Sequence, residues 1–114
     1  MGTYYIRDKH NDTLVEIEVS QKNGIVLDVS SSVDLRMYTR ILLTQPGLTQ
    51  SAHVQYIDQM CGWDDFRGFW WESFVMPKGK DFNPTTEDLD QLIRLMVTEL
   101  ADLIPSRGFC IVTD

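Results

Sequence analysis

The N-terminal part of the chain alternates between apolar and polar positions in the pattern typical of strands. From residue 15 to residue 19 the apolar positions are separated by glutamates, a period of two that indicates a half-buried strand. The dipeptide Asn23-Gly24 follows, and it supplies the positive φ angles that a tight type I′ turn requires. The apolar segment 25–29 returns from this turn, and the aromatic segment 4–6 precedes the pair. The sequence therefore predicts an N-terminal antiparallel hairpin.

The most regular apolar pattern lies near the other end of the chain and predicts a long amphipathic helix. Thr85 stands at its N-cap position, and Asp88 three residues later completes a pair similar to a capping box. Pro105 ends the pattern, and residues 109–112 predict a closing strand. The apolar residues of the helix recur at helical spacing, and we expect them to form the core: Leu89, Leu92, Ile93, Met96, Leu100, Leu103 and Ile104.

Residues 33–43 fit either a helix or a strand. Their apolar and polar positions alternate as in a strand, but the serines of segment 30–32 are typical of a helix cap, and we favour the helix. In that helix Arg36 and Arg40 point to solvent. The apolar face then consists of Met37, Tyr38, Ile41 and Leu42.

A second helix is predicted over residues 51–60, because Val54, Ile57 and Cys61 stand at helical spacing and Gly62 is suited to a C-terminal cap. Residues 66–76 after it are strand-like. The segment 77–80 contains a proline and a glycine and predicts a turn.

These elements predict an α+β fold and a single domain over residues 1–114, a length typical of one domain. We expect a small antiparallel sheet, built from the N-terminal hairpin, to pack against the long C-terminal amphipathic helix, with two or three helices in all. A transmembrane helix needs about 20 consecutive apolar residues, and no apolar run here approaches that length. The cysteines, Cys61 and Cys110, predict reduced thiols in a cytoplasmic protein; a long-range disulfide between them is the alternative.

The charge of the chain is unevenly distributed. The net charge is −7; residues 1–57 hold six acids and five bases, whereas residues 58–114 hold eleven acids and five bases. Such a surface repels phosphate groups, so we expect no direct binding of nucleic acid or of an anionic membrane. A protein partner with a basic surface is compatible with it.

The segment 63–74 contains all three tryptophans and three of the five phenylalanines. In a strand, successive side chains point to opposite faces, so Trp70 and Trp71 do not enter the same core. Core packing with a second hydrophobic layer explains the pair, and exposed aromatics beside carboxylates are also typical of a binding surface. The predicted partner surface consists of Trp63, Asp64, Asp65, Trp70, Trp71 and Glu72.

The sequence contains few candidates for catalytic or metal-binding residues. The carboxylates of Asp58, Asp64, Asp65 and Glu72 suggest acid–base catalysis only if they converge in one pocket. His53 and Cys61 do not form a spaced pair of metal ligands, and we expect neither a metal nor another cofactor.

Three functional hypotheses follow. The first is a small acidic binding protein or inhibitor that masks a basic or functional surface of a protein partner. In size, charge and lack of catalytic motifs the chain is similar in kind to toxin-immunity proteins and phage-encoded blockers of defence systems, although no motif carries this likeness. The second is a homo-oligomeric accessory or structural protein, for example a homodimer, in which the Trp70 and Trp71 face lies between the subunits. The third is a small enzyme that uses the four carboxylates.

Overall fold

The computed structural model describes residues 2–49 and 53–114. Six strands in the described chain pair antiparallel in one sheet, in the order β4-β5-β3-β2-β1-β6, and two helices accompany them. Within these ranges neither helix is long and apolar enough to cross a membrane. The elements in chain order are β1 (Gly2–Asp8), β2 (Thr13–Gln21), β3 (Gly24–Ser31), α1 (Arg36–Leu43), β4 (Gln55–Asp64), β5 (Phe69–Pro77), α2 (Thr86–Leu103) and β6 (Phe109–Thr113).

The architecture is a small single-domain α+β fold, so the predicted fold class is confirmed. The sheet, however, is larger than the predicted N-terminal hairpin, because segments from the middle and the end of the chain add strands on both sides of it. The hairpin of β2 and β3 is nevertheless present, and Asn23 and Gly24 at its turn have φ angles of 55° and 129°. A Cβ atom on Gly24 would lie 2.2 Å from the backbone oxygen of Met76 in β5, so this position requires glycine.

Strand alternation gives the sheet two different faces. Both helices contribute to one apolar cluster on one face, which we call the covered face, and its sheet side includes Ile17, Leu27 and Phe74. The opposite face, which we call the open face, carries polar and half-buried residues such as Glu16 and Asp28. The side chains of the core therefore come from every second residue of the central strands.

The long C-terminal helix is present as predicted. The backbone N–H of Thr85 donates to the Asp88 carboxylate at 2.8 Å, and the N–H of Asp88 donates to the Thr85 hydroxyl at 3.2 Å, so the capping box is complete. Leu89, Leu92, Ile93, Met96 and Leu100 are buried. Leu103 is exposed, because α2 ends at this residue and Ile104 packs against the core instead.

The helix favoured for residues 33–43 is confirmed as α1, and Tyr38 and Leu42 lie against the core as predicted, but the rest of the predicted faces is wrong. Met37 and Ile41 are 65% and 62% exposed, whereas Arg36 and Arg40 are half-buried against the sheet. The buried side chains of the helix are those of Thr39, Leu42 and Leu43. The predicted serine cap is also absent: Leu35 is the N-cap residue and makes no side-chain capping bond, because Ser31 is still part of β3.

The second predicted helix is wrong. Residues 55–64 form β4, while residues 51 and 52 lie outside the described chain. The pairing of β4 with β5 shifts register between Tyr56 and Cys61, so the strand does not alternate regularly there. The irregular stretch explains why the apolar positions showed helical rather than strand spacing.

Candidate functional site

Trp70 and Trp71 lie on opposite faces of β5, as strand alternation requires. Trp70 is opposite the buried Ser31 of β3 and is therefore on the covered face, whereas Trp71 is opposite Ser30 on the open face. The indole of Trp71 lies over Gly62, where an added Cβ would be 3.2 Å from its Nε1 atom. Both tryptophans are half-buried, so neither is a fully buried core residue.

Trp63 and Trp70 form an aromatic pair on the covered face. They are opposite each other in β4 and β5, and their ring centroids are 4.6 Å apart. The guanidinium of Arg36 lies 4.2 Å from the centroid of the Trp70 ring, a cation–π contact between α1 and β5. Asp34 orients that guanidinium through two bonds of 2.9 Å, and Arg36 in turn lowers the pKa of the Asp34 carboxyl. Trp63 itself is 45% exposed.

The turn between β4 and β5 projects a phenylalanine into solvent. Phe66 is 99% exposed. The Asp64 carboxylate accepts the backbone N–H groups of Phe66 and Arg67 at 3.0 and 3.2 Å, and the N–H of Gly68 donates to the Asp64 carbonyl at 2.8 Å. Arg67 reaches across the open face and pairs with Glu16 of β2. The turn therefore holds Phe66 in a defined position without burying it.

We call Trp63, Phe66 and Trp70 the aromatic tip. Two carboxylates stand in the turn: the Asp64 side chain is engaged by the turn, whereas Asp65 is exposed. Asp58 is also exposed but lies six positions before Asp64 in β4, away from the turn. Asp65 is thus the predicted acidic residue that is directly available to a partner beside Phe66.

Glu72 is buried beneath this surface on the covered face. Its carboxylate pairs with Arg40 of α1 at 3.2 Å, and the Arg40 guanidinium lies 4.0 Å from the centroid of the Tyr56 ring. Burial raises the pKa of Glu72, and the Arg40 guanidinium opposes that rise. A hydrogen bond to Cys61 is the main cause that raises the pKa of the Tyr56 hydroxyl. Glu72 therefore links β5 to α1, and its side chain is not exposed at the surface.

The four predicted carboxylates do not share one pocket. Asp64 points to the open face and the turn, and Glu72 points to the covered face. Among the described residues no group of three or more His, Cys, Asp and Glu side chains is arranged to hold a metal ion. Cys61 and Cys110 are free and stand in the two strands that form opposite edges of the sheet. The predicted alternative of a disulfide between them is therefore wrong.

Sequence reasoning missed the residue that is most exposed in this region. The predicted strand over residues 66–76 includes Phe66, whereas β5 begins at Phe69. The Asp64-x-x-x-Gly68 spacing is suited to a turn, since aspartate binds backbone N–H groups ahead of it and glycine adopts positive φ. The φ angle of Gly68 is 72°. The role of Arg36 and Arg40 has no comparable local signal, because their aromatic and carboxylate contacts lie on distant strands.

Comparison with known proteins returned no matching family model, no matching curated protein and no matching solved structure. The geometry of the tip is thus the main guide to function.

Proposed function

We propose that this protein binds a protein partner and masks a surface of it, with the aromatic tip at the centre of the contact. The observation that carries the proposal is Phe66, whose side chain is 99% exposed on a turn that the Asp64 carboxylate fixes. Aromatic anchors that enter a pocket of the partner dominate the binding energy of many interfaces. A turn that is already ordered also loses little conformational entropy on binding, which favours affinity.

The surroundings of Phe66 indicate the chemistry of the partner. Trp63 adds an exposed apolar surface beside the turn, while the exposed Asp65 adds negative charge. The chain as a whole carries a net charge of −7. A partner with an apolar pocket and a basic rim complements this arrangement. We therefore propose an inhibitor or masking protein of the immunity or anti-defence kind that acts in the cytoplasm.

The test compares two alanine variants of exposed apolar residues. Phe66→Ala removes the proposed anchor, and Leu103→Ala is the control, because Leu103 is also exposed but lies at the end of α2. Both variants should melt close to the wild type, since neither side chain is part of the core. Proteins of the native host that the wild type and Leu103→Ala retain, and that Phe66→Ala loses, are the candidate partners.

A titration of the purified candidate then measures the anchor. Phe66→Ala should weaken binding by about 2 kcal/mol, or roughly thirtyfold, and added salt should weaken the wild-type complex because it screens the charges. The proposal fails if Phe66→Ala binds every retained protein as tightly as Leu103→Ala does. If binding is lost in Phe66→Ala but does not change with salt, Phe66 is the anchor and the proposed basic rim of the partner is wrong.

A further inference from the structure

The two edges of the sheet are built differently. The edge strand β4 carries Asp58 and Asp64, and its pairing is irregular between Tyr56 and Cys61. Charges and bulges of this kind prevent an edge from pairing with another strand. The opposite edge, β6, spans Phe109–Thr113 and contains no charged residue, proline or register shift. Within the described chain no strand pairs with its outer side.

The backbone of β6 alternates between β1 and the outside of the sheet. The N–H of Asp114 donates to the carbonyl of Thr3 at 3.2 Å. In an antiparallel ladder, alternate residues direct both their N–H and C=O groups to the same neighbour. Val112 and Cys110 therefore face β1 as well. The N–H and C=O groups directed outward are those of Phe109, Ile111 and Thr113.

This arrangement is self-complementary about Ile111. We propose that a second copy of this chain pairs antiparallel along β6, with a two-fold axis at Ile111, so that the two sheets become one continuous sheet. In this register Ile111 faces Ile111 of the second copy, Phe109 faces Thr113, and Cys110 faces Val112. Every outward backbone group of the strand then meets an outward group of the other copy.

Charges at the two ends of β6 favour the same antiparallel register. Gly108 would face Asp114 of the second copy, and Lys9, which is exposed, stands beside Gly108: a Cβ on Gly108 would lie 3.7 Å from the Lys9 Cβ. Arg107 is already paired with the buried Asp8. The strand end that carries Lys9 thus meets the end of the other copy that carries Asp114, and this happens twice because of the two-fold symmetry; the Asp114 carboxylate itself accepts the backbone N–H of Thr3 at 2.9 Å.

The covered face offers space for the second copy beside β6. A groove of about 690 Å³ lies between α2 and the β1–β6 pair, and its apolar residues are Tyr4, Ile93, Val97 and Ile111. Thr113, which the register places opposite Phe109 of the second copy, also lines the groove. Its charged residues, Asp90 and Arg94, are one acid and one base, so the groove itself adds no net charge that would repel the second copy.

The first experiment separates the backbone of Ile111 from its side chain. Light scattering over a dilution series should give twice the 13.2 kDa mass of one chain for the wild type. Ile111→Pro removes an N–H that points outward, which an edge strand tolerates, and should shift the protein to a monomer. Ile111→Ala loses the side chain but keeps the N–H, and it should remain dimeric. A wild-type chain that stays monomeric at high concentration overturns the proposal, as does an Ile111→Pro variant that remains a dimer.

The second experiment tests the register. Directly opposed residues that do not exchange hydrogen bonds have Cα atoms about 4.5 Å apart, within the range that a disulfide spans. In a Cys61→Ser background, Val112→Cys should therefore form a covalent dimer through Cys110 on mild oxidation. Without the Val112→Cys change the two Cys110 residues are diagonal neighbours, about 7–8 Å apart, and should not cross-link. Cross-linking of Cys110 alone, or none with Val112→Cys, would contradict this register.

The dimer does not depend on the aromatic tip. Phe66→Ala should remain dimeric even where it abolishes partner binding, and Ile111→Pro should still bind a partner through Phe66. Added salt should strengthen the dimer, because each copy carries a net charge of −7 and screening reduces their repulsion. If salt dissociates the dimer, the proposal that the uncharged strand β6 is its main contact is contradicted.

Discussion

The pair of Glu72 and Arg40 allows a quantitative test of how α1 is held on the sheet. Replacing Arg40 by methionine keeps an unbranched side chain for packing and removes the charge that Glu72 faces. Leaving one member of a buried ion pair without its partner costs about 3–5 kcal/mol. The Glu72 side chain is buried, but that of Arg40 is 34% exposed. Water will therefore reach part of the space that the Arg40 guanidinium leaves beside Glu72. We therefore expect Arg40→Met to lower the free energy of unfolding by about 3 kcal/mol at pH 8, the lower end of that range.

The cost should depend on pH in a defined direction. Burial already raises the pKa of Glu72, and removing Arg40 removes the group that opposes this rise. A carboxyl whose pKa is higher in the folded state binds protons more strongly there, so its stabilising contribution is present below the unfolded pKa of about 4.3 and is lost as the pH rises through the folded pKa. The cost of Arg40→Met should therefore shrink when the pH is lowered from 8 towards 5, because protonation neutralises the buried carboxylate.

Urea unfolding followed by tryptophan fluorescence measures this cost at both pH values, and Glu72→Gln is the matched control. In the Glu72→Gln background the pair is already uncharged on one side, so Arg40→Met should cost less than about 1 kcal/mol and the cost should not change between pH 5 and pH 8. The reasoning is refuted if Arg40→Met costs the same in both backgrounds, or if its cost grows as the pH falls.

Two further substitutions test the core and the turn. Leu100→Ala should lower the free energy of unfolding by about 2–5 kcal/mol, because Leu100 is buried and its truncation leaves a cavity under α2; a loss below about 1 kcal/mol would mean that the helix does not pack there. Gly24→Ala and Gly47→Ala both place alanine at positive φ, which costs on the order of 1–3 kcal/mol, but only at Gly24 does the new Cβ meet backbone, 2.2 Å from the oxygen of Met76. Gly24→Ala should therefore be clearly the more destabilising of the two in urea, and equal losses would contradict the close approach.

The two ends of the chain were predictable because their signals are local. The turn at Asn23-Gly24 and the capping box of Thr85 and Asp88 each depend on residues that stand within a few positions of one another. Such signals need no distant partner, and tertiary contacts do not override them here. The hairpin and α2 therefore appear in the structure where the sequence placed them.

The middle of the chain was less predictable, since its structure depends on partners far away in the sequence. Residues 55–64 pair with β5 through an irregular register, and no local sequence signal indicates that irregularity. The unexpected orientation of the two arginines in α1 has the same origin. Arg36 and Arg40 point inward because Trp70 and Glu72, more than thirty residues later, provide an aromatic ring and a buried carboxylate for them. A prediction from the hydrophobic pattern places arginine at the surface, because the pattern contains no information on such distant contacts.

The exposure of residues in the candidate surface also depends on distant contacts. The aromatic segment and its adjacent carboxylates drew attention to residues 63–74, but composition alone did not separate an exposed Phe66 from a buried Glu72. Only the pairing of β4 with β5 shows that the turn begins at Asp64 and that Glu72 lies beneath α1. Which residues of an aromatic segment are exposed is thus decided by strand register.

The aromatic tip and β6 belong to opposite edges of the sheet, and this separation constrains what a dimer can bind. Six strands at about 4.8 Å spacing put β4 roughly 24 Å from β6. A dimer joined at β6 consequently carries its two tips on the outer edges of a continuous sheet, roughly 50 Å apart by the same spacing. Two binding sites so far apart do not act on one small partner, because both must be engaged at once for avidity to arise. Such a dimer gains affinity only against a partner that repeats its own basic surface, such as an oligomer or a filament, and a monomeric partner should bind each tip independently.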